Sequence, residues 1–232
     1  MNKEMETKLK NLPDTPGVYI MKDQNGKIIY IGKAISLKNR VRQYFRTTHT
    51  GKVGAMVANV SDFDYILTDT EVEALILECN LIKKHRPRYN ILLKDDKHYP
   101  YIEVTAEEEY PRIRLTRKIK KDRNKYFGPY TSARAVRETM EAIRRIFPIR
   151  TCNRKIREGQ PAERPCLNYY IRQCWGPCRG NVKKSDYQAM IKDVCRFLDG
   201  RQEDLLDEFR RKMTEAAENL QFERASVFRD QI

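Results

Sequence analysis

The stretch Gly17-Val18-Tyr19-Ile20-Met21-Lys22-Asp23-Gln24-Asn25-Gly26-Lys27-Ile28-Ile29-Tyr30-Ile31-Gly32 decides how the chain is read. Two runs suited to strands, Gly17 to Asp23 and Lys27 to Ile31, flank Asn25-Gly26, a pattern that predicts an antiparallel hairpin with a two-residue type I′ turn. Centring the turn on Asn25-Gly26 pairs Asp23 with Ile28, Met21 with Tyr30 and Tyr19 with Gly32. Directly opposed residues project from the same face, so Tyr19 and Tyr30 become diagonal neighbours. Two tyrosines on one hairpin face ordinarily serve as half-buried packing residues.

Downstream residues give that pair a second reading. Lys33 follows the second strand, and a helix N-capped near Ser36 carries Arg40 and Tyr44, which at i and i+4 share a face. From Lys33 to Lys52 there are six Lys or Arg and no Asp or Glu, with Tyr44 and Phe45 among them. Such a run is either a solvated basic face or a surface for a phosphate backbone. A second helix opens on the capping box Thr70-Glu71-Val72-Glu73 and runs to Pro87. Within it Glu78 has Ala74, Leu75, Leu81 and Ile82 as helical neighbours, so its carboxylate leaves mostly apolar surface and needs a partner. That partner is a lysine or a hard divalent cation, which takes oxygen ligands and often only one or two protein carboxylates beside substrate phosphate.

Composition narrows the class. Across 232 residues, Lys plus Arg number 46 against 32 Asp plus Glu, a net charge of +14 that favours a polyanionic partner. No apolar run approaches the roughly 20 residues needed to span a bilayer, and Met1 to Lys10 is polar, so we expect no membrane association and a cytoplasmic protein. In that compartment six cysteines point to reduced thiols or metal ligands. Four of them, Cys152, Cys166, Cys174 and Cys178, fall within 27 residues at intervals of thirteen, seven and three. Thiolates suit Zn²⁺ and iron–sulfur clusters alike. Cys79 and Cys195 read as small buried apolar residues.

Between these features, residues 98–148 show strand-like Tyr99 to Thr105 and Arg112 to Arg117 and a helical stretch from Ser132 to Ile146. Arg112 to Lys125 holds eight basic residues and one acidic, either a solvated hairpin or an extension of that phosphate-binding surface. The tail predicts a helix capped by Ser185-Asp186-Tyr187-Gln188 that closes near Gly200, then an antiparallel helical pair from Glu203. The expected fold class is α+β: a small mixed α/β domain with a central antiparallel sheet, a cysteine-rich module and a helical hairpin tail. The expected divisions are 1–97, 98–148, 149–182, 183–202 and 203–232.

Gly17-Val18-Tyr19, ten intervening residues, Tyr30-Ile31-Gly32, then Arg40, Glu78 and Asn90 resemble the GIY-YIG nuclease pattern, with Val18 where the name has Ile. Cys174-Trp175-Gly176-Pro177-Cys178 with its two partners, and the tail from Leu220-Gln221-Phe222-Glu223-Arg224-Ala225 to Ile232, extend the likeness to the N-terminal half of the UvrC family of bacterial excinucleases. The resemblance implies hydrolysis of a phosphodiester bond with Mg²⁺ or Mn²⁺ held by Glu78. It further implies Arg40 stabilising developing charge, Tyr30 as general base with Tyr19 as the alternative, helped by positive charge from Lys33, Arg40 or the metal, Tyr19 and Tyr44 orienting water or phosphate, and Asn90 supporting the site. It also implies a [4Fe–4S] cluster on the four cysteines, with structural Zn²⁺ as the alternative. Docking on the helicase-like excinuclease protein UvrB follows from it too, with Phe222 as anchor and Glu223, Arg224 and Arg229 as rim. The expected role is incision of damaged double-stranded DNA 3′ of a lesion. A stand-alone repair nuclease and a non-catalytic DNA-binding adaptor are the competing readings. Since no helix-ending signal follows Ile232, the family's second nuclease domain and DNA-binding hairpins are expected beyond it.

Overall fold

The hairpin forms in the expected register over most of its length. In the computed structural model, which describes residues 3–92, 99–130 and 132–232, strands β1 (Gly17–Lys22) and β2 (Ile28–Ala34) set Tyr19 opposite Gly32 and Met21 opposite Tyr30. The boundary expected at 97/98 lies outside the described residues.

The turn differs from expectation. The register slips after Met21, so that Lys22 pairs with Ile28, and the chain reverses over Asp23–Gly26 with the Gly26 N–H donating to the Asp23 carbonyl at 2.9 Å. Asp23 is the cause: its Oδ1 accepts from the N–H groups of Asn25 at 2.9 Å and Lys27 at 3.0 Å. That side-chain turn leaves Gly26 at φ +73° and keeps Asn25 out of the left-handed region, whereas a type I′ turn needs both residues there.

Strand β3 (Asp62–Leu67) pairs along the other side of β1, giving the antiparallel order β2-β1-β3. Helices α1 (Lys3–Lys10), α2 (Leu37–Arg46) and α3 (Gly51–Ala58) cover one face, where Met5, Leu9, Val41, Tyr44 and Met56 share a buried cluster with Tyr19, Met21 and Phe63. The opposite face carries Val18, Ile20 and Ile31 against Ala74 and Ile82 of α4 (Glu71–His85). A fully buried aliphatic side chain contributes roughly 2 kcal/mol, so cores on both faces fix the central strand in place. Half of the capping box at α4 is as expected, with Thr70 accepting from the Glu73 N–H at 3.1 Å, while the Glu73 carboxylate reaches one residue further back and accepts from the Asp69 N–H at 2.9 Å. The helix stops at Arg86, left-handed at φ +45°, because a residue before proline is barred from continuing it. The short α5 (Arg88–Leu92) follows.

These elements, with the chain up to Tyr99 and Gly128–Ala135, make one unit, while Pro100–Phe127 and Val136–Ile232 make the other. In the second unit β4 (Tyr101–Val104), β5 (Ile113–Thr116) and β6 (Lys125–Phe127) form a sheet of order β5-β4-β6, followed by α6 (Ala133–Ile146). The cysteine-bearing segment holds the short α7 (Leu167–Tyr170) and leads to α8 (Lys184–Leu198), α9 (Gln202–Glu218) and α10 (Phe222–Gln231). Phe147 meets Phe197 and Phe209 at centroid separations of 6.4 and 6.3 Å, and Phe209 meets Phe228 at 6.2 Å, so α10 doubles back on α9.

The buried Arg150 ties the cysteine segment together. Its guanidinium donates to the carbonyls of Tyr110 at 2.6 Å, Cys152 at 3.0 Å and Arg154 at 2.8 Å, and pairs with Glu108. A second expectation fails at α8, which starts at Lys184 and lacks a side-chain cap from Ser185. Glu158, far away in sequence, accepts the Lys184 N–H at 2.9 Å and so takes over the capping. The architecture is α+β with two antiparallel sheets, and among the described residues no helix is long and apolar enough to cross a membrane.

Candidate active site

Tyr19, Tyr30 and Tyr44 form a triangle on the α2 side of the first sheet, with ring centroids 5.9 to 6.3 Å apart. The hairpin register supplies the first two, and α2, capped by Ser36 through the Asn39 N–H, delivers the third. The hydroxyls of Tyr19 and Tyr44 are 3.1 Å apart, and Arg40 Nη2 donates to the Tyr44 hydroxyl at 3.2 Å. Arg40 Nη1 donates to Gln43 Oε1 at 3.2 Å, which fixes the plane of the guanidinium.

The glycines flanking the tyrosines answer to space. A Cβ on Gly32 would stand 2.3 Å from the Tyr19 hydroxyl oxygen, and one on Gly17 would stand 2.4 Å from the Ile66 carbonyl oxygen. Val18 and Ile31, the middle residues of the two triplets, are fully buried on the opposite face toward α4. Asn90 grips Ile31 with both ends of its amide, Oδ1 accepting from the Ile31 N–H and Nδ2 donating to the Ile31 carbonyl, each at 2.8 Å. It thereby holds the backbone between Tyr30 and Gly32.

Glu78 is 4 % exposed, and its Oε1 accepts from the Lys33 backbone N–H at 2.9 Å. The Lys33 ammonium reaches the Glu71 carboxylate at 2.5 Å. Glu71 and Gln43 are additions to the expected site residues. The sequence signal for Glu71 is its spacing, since it stands seven residues before Glu78 on the same helical face. Beside these groups opens a cavity of about 690 Å³ lined by Lys33, Ile35, Asn39, Arg40, Gln43 and Glu71, among others.

Burial pushes the Tyr19 hydroxyl well above its ordinary range, with Tyr30 and Tyr44 adding to the rise and Arg40 opposing it. Tyr30 is raised as well, by burial first and then by Tyr44 and Glu78. In the chain alone burial outweighs the positive charge expected to favour a Tyr30 phenolate: Lys33 is paired with Glu71, and Arg40, which acts on all three tyrosines, bonds Tyr44 and Gln43, which leaves the metal as the third expected source. Only a further positive charge would bring the Tyr30 proton within reach of neutral pH.

Glu78 fits a hard divalent cation in kind, as one buried carboxylate whose ligand set phosphate oxygens and water would complete. Among the described residues, no three His, Cys, Asp or Glu side chains are spaced to hold a metal by themselves. In the second unit, Cys152, Cys166, Cys174 and Cys178 line one small cavity with Arg150. Burial pushes the Cys174 thiol up to about 11 and raises Cys178, and neighbouring thiols of the four add to each rise. Thiols suit a soft metal in kind, but no three of these four are spaced to hold one by themselves. Cys79 and Cys195 are buried, away from this cavity's lining. On α10, Phe222 is 64 % exposed, and Glu223, Arg224 and Arg229 are exposed around it.

Comparison with known proteins follows the same order along the chain. Residues 15–91 match the family described as the UvrC-like GIY-YIG domain, residues 99–197 the UvrC/Cho excinuclease middle domain, and residues 203–232 the UvrB/uvrC motif. UvrABC system protein C of Acetivibrio thermocellus is 61 % identical over 231 residues, covering 99 % of this chain and 37 % of that protein. The protein of the same description from Clostridium botulinum strain Okra is 57 % identical over the same coverage. The chain thus spans a little over a third of the length of these curated relatives. A crystal structure of the GIY-YIG N-terminal endonuclease domain of UvrC from Thermotoga maritima, bound to its catalytic divalent cation magnesium, is 44 % identical over 38 % of this chain and 98 % of that one, with a TM-score of 0.35. With successive matches to the UvrC-like GIY-YIG domain, the UvrC/Cho middle domain and the UvrB/uvrC motif, and this identity along 99 % of its length, the chain belongs to the UvrC family.

Proposed function

We propose that the chain carries a metal-dependent DNA endonuclease site that incises the damaged strand 3′ of a lesion in nucleotide excision repair, after recruitment by UvrB. The observation that carries this reading is the convergence of three phenols and Arg40, with the buried Glu78 close enough to act on the Tyr30 hydroxyl, next to a cavity lined by Lys33, Arg40 and Glu71. An adaptor that only binds DNA needs the basic residues but not a carboxylate buried beside tyrosines.

Glu78 would hold Mg²⁺ or Mn²⁺, whose charge supplies Lewis-acid stabilisation of the phosphate and favours loss of the Tyr30 proton. Tyr30 accepts the proton of the attacking water as general base. Tyr19 and Tyr44, linked through their hydroxyls, orient water and phosphate. Arg40 stabilises charge on the non-bridging oxygens, and Lys33 reaches the phosphate when it leaves Glu71. Asn90 keeps Tyr30 in place through Ile31. With Mg²⁺ and a duplex bearing a defined adduct, Tyr30→Phe is expected to lower the nicking rate about 10²- to 10⁴-fold, and Glu78→Ala at least about 10³-fold. DNA affinity should stay near the parent value in both, and near-normal nicking by both would overturn the assignment.

The same reading divides the chain into a nuclease domain (1–97), an α/β extension (98–148), a cysteine-rich module (149–182), a connecting helix (183–202) and a helical hairpin (203–232), in a cytoplasmic protein. The four cysteines would bind a [4Fe–4S] cluster in preference to structural Zn²⁺, a choice supported by their wide, irregular spacing and loop setting. Anaerobically purified protein should be brown, and colourless protein with stoichiometric zinc would reverse the choice. Phe222 would anchor UvrB within the rim of Glu223, Arg224 and Arg229, a role supported by the exposure of all four.

A further inference from the structure

The connection from β5 to β6, residues 117–124, passes from one side of β4 to the other, because β5 and β6 flank that strand. Its inner side is tightly bonded. Asn124 Nδ2 donates to Glu103 Oε1 at 2.9 Å and to Asp122 Oδ2 at 3.0 Å, and the Tyr126 hydroxyl donates to Asp122 Oδ2 at 3.0 Å. The Arg123 N–H donates to Glu107 Oε1 at 3.2 Å, and the Lys118 N–H to Thr116 Oγ1 at 3.2 Å. Asp122, the connection's one acid, is thus turned inward and half-buried. Arg117, Lys118, Ile119, Lys120, Lys121 and Arg123 are all exposed, Ile119 by 58 %.

A merely solvated basic loop needs neither a fixed inner frame nor a bare isoleucine among its cations. An ordered frame that withdraws the acid and presents cations around an apolar side chain suits a polyanion whose charges flank a groove where an apolar wedge can press against a base step. We propose that residues 117–124 form a second DNA contact, with Lys118, Lys120, Lys121 and Arg123 meeting backbone phosphates of a duplex and Ile119 seated in the groove between them. This rests on the reading of the chain as a DNA-incising protein and adds to it a binding surface outside the nuclease domain.

The test is a salt titration of the whole chain binding an adduct-bearing duplex in EDTA, read by fluorescence anisotropy. Each phosphate contact contributes about 0.9 to the slope of log K against log salt, so changing Lys118, Lys120, Lys121 and Arg123 together to Gln should make the slope shallower by about 2 to 4. The charge-keeping set Lys118→Arg, Lys120→Arg and Lys121→Arg should keep the parent slope, and thermal melts should show all variants folded. Ile119→Ser should weaken binding about 5-fold with no change of slope, since it removes apolar contact only. A parent slope in the Gln variant overturns the proposal and is the result expected if the loop faces an acidic protein instead. Unchanged affinity in Ile119→Ser overturns the groove contact. If the unmodified chain binds with a salt slope that the Gln variant loses but never nicks when both Mg²⁺ and UvrB are supplied, the nuclease reading fails and this proposal stands.

Discussion

In each of the two sheets the first strand lies in the middle, β1 between β2 and β3, and β4 between β5 and β6. Each sheet also holds a buried carboxylate through a hydrogen bond, and the partners of the two differ in kind. Glu103, 2 % exposed on β4, receives the fork of Arg114 at 2.6 and 2.8 Å and the Asn124 amide at 2.9 Å. Its charge is matched on the spot by a side chain of the neighbouring strand. Glu78 is fixed by a backbone N–H of β2 and sits near Tyr30, whose pKa its charge raises. A guanidinium fork places two charge-assisted bonds on one carboxylate, whereas the Lys33 backbone amide orients the other through a neutral donor.

The sharpest way to break this contrast is to remove each carboxylate and compare stability. Glu103→Ala removes the acceptor of the Arg114 fork and of one Asn124 bond; because the Arg114 side chain is 45 % exposed and regains water, the expected cost in denaturant unfolding is about 2 to 3 kcal/mol. Glu78→Ala should lose nicking without a loss of that size, and equal destabilisation of the two variants would erase the distinction. Next in size is Asn90→Ala, which leaves the buried N–H and carbonyl of Ile31 without their amide partner and should cost about 2 kcal/mol. It should also slow nicking more than it weakens DNA binding, because it loosens the strand that carries Tyr30. An unchanged rate in a destabilised protein would make Asn90 purely structural.

The smallest effect is at a third carboxylate, Glu208, which is paired on the surface of α9 with Arg196 at 2.5 Å and Lys212 at 2.6 Å. Hydrogen bonds from Lys212 and then Arg196 hold it down at about 2, below its ordinary 4.5. Because the folded value is depressed, its contribution is present above about pH 4.5 and fades as the pH falls toward 2. Solvent screening limits it to about 1 kcal/mol, so Glu208→Gln should melt a few degrees early at pH 7 and alongside the parent near pH 2. A gap that persists in acid would mean packing rather than charge.

The legible parts of the molecule are those where one local signal has no competitor. Alternation places Tyr19 and Tyr30 on one face, helical spacing joins Arg40 to Tyr44, and the apolar setting of Glu78 marks it as unusual. Where two signals compete, the local one can lose. Asn25-Gly26 suggests a type I′ turn, but the carboxylate of Asp23 captures two amides first. Ser185 has the pattern of a cap, yet Glu158 from a distant loop takes the place. The amphipathic α1, whose Met5 and Leu9 are buried, escapes a linear reading because the same residues in a row look like a polar terminus. The pairing of Lys33 with Glu71 joins a strand to a helix 38 residues on, and no local pattern announces it.

Gly32 has a consequence for how this site could decay over time. The space a side chain would occupy there is filled by the ring of Tyr19 as well as its hydroxyl, with Tyr19 Cζ at 2.4 Å and Cε1 at 3.0 Å from the would-be Cβ. A lineage that abandoned the chemistry could exchange the phenol for a phenyl ring and still be unable to place alanine at position 32. The glycine is bound to the bulk at position 19 and outlasts the hydroxyl, so in copies that have lost the activity it should drift only once the ring itself is gone. The coming and going of these two positions together, across many relatives, would record packing, while the hydroxyl alone would record selection for catalysis.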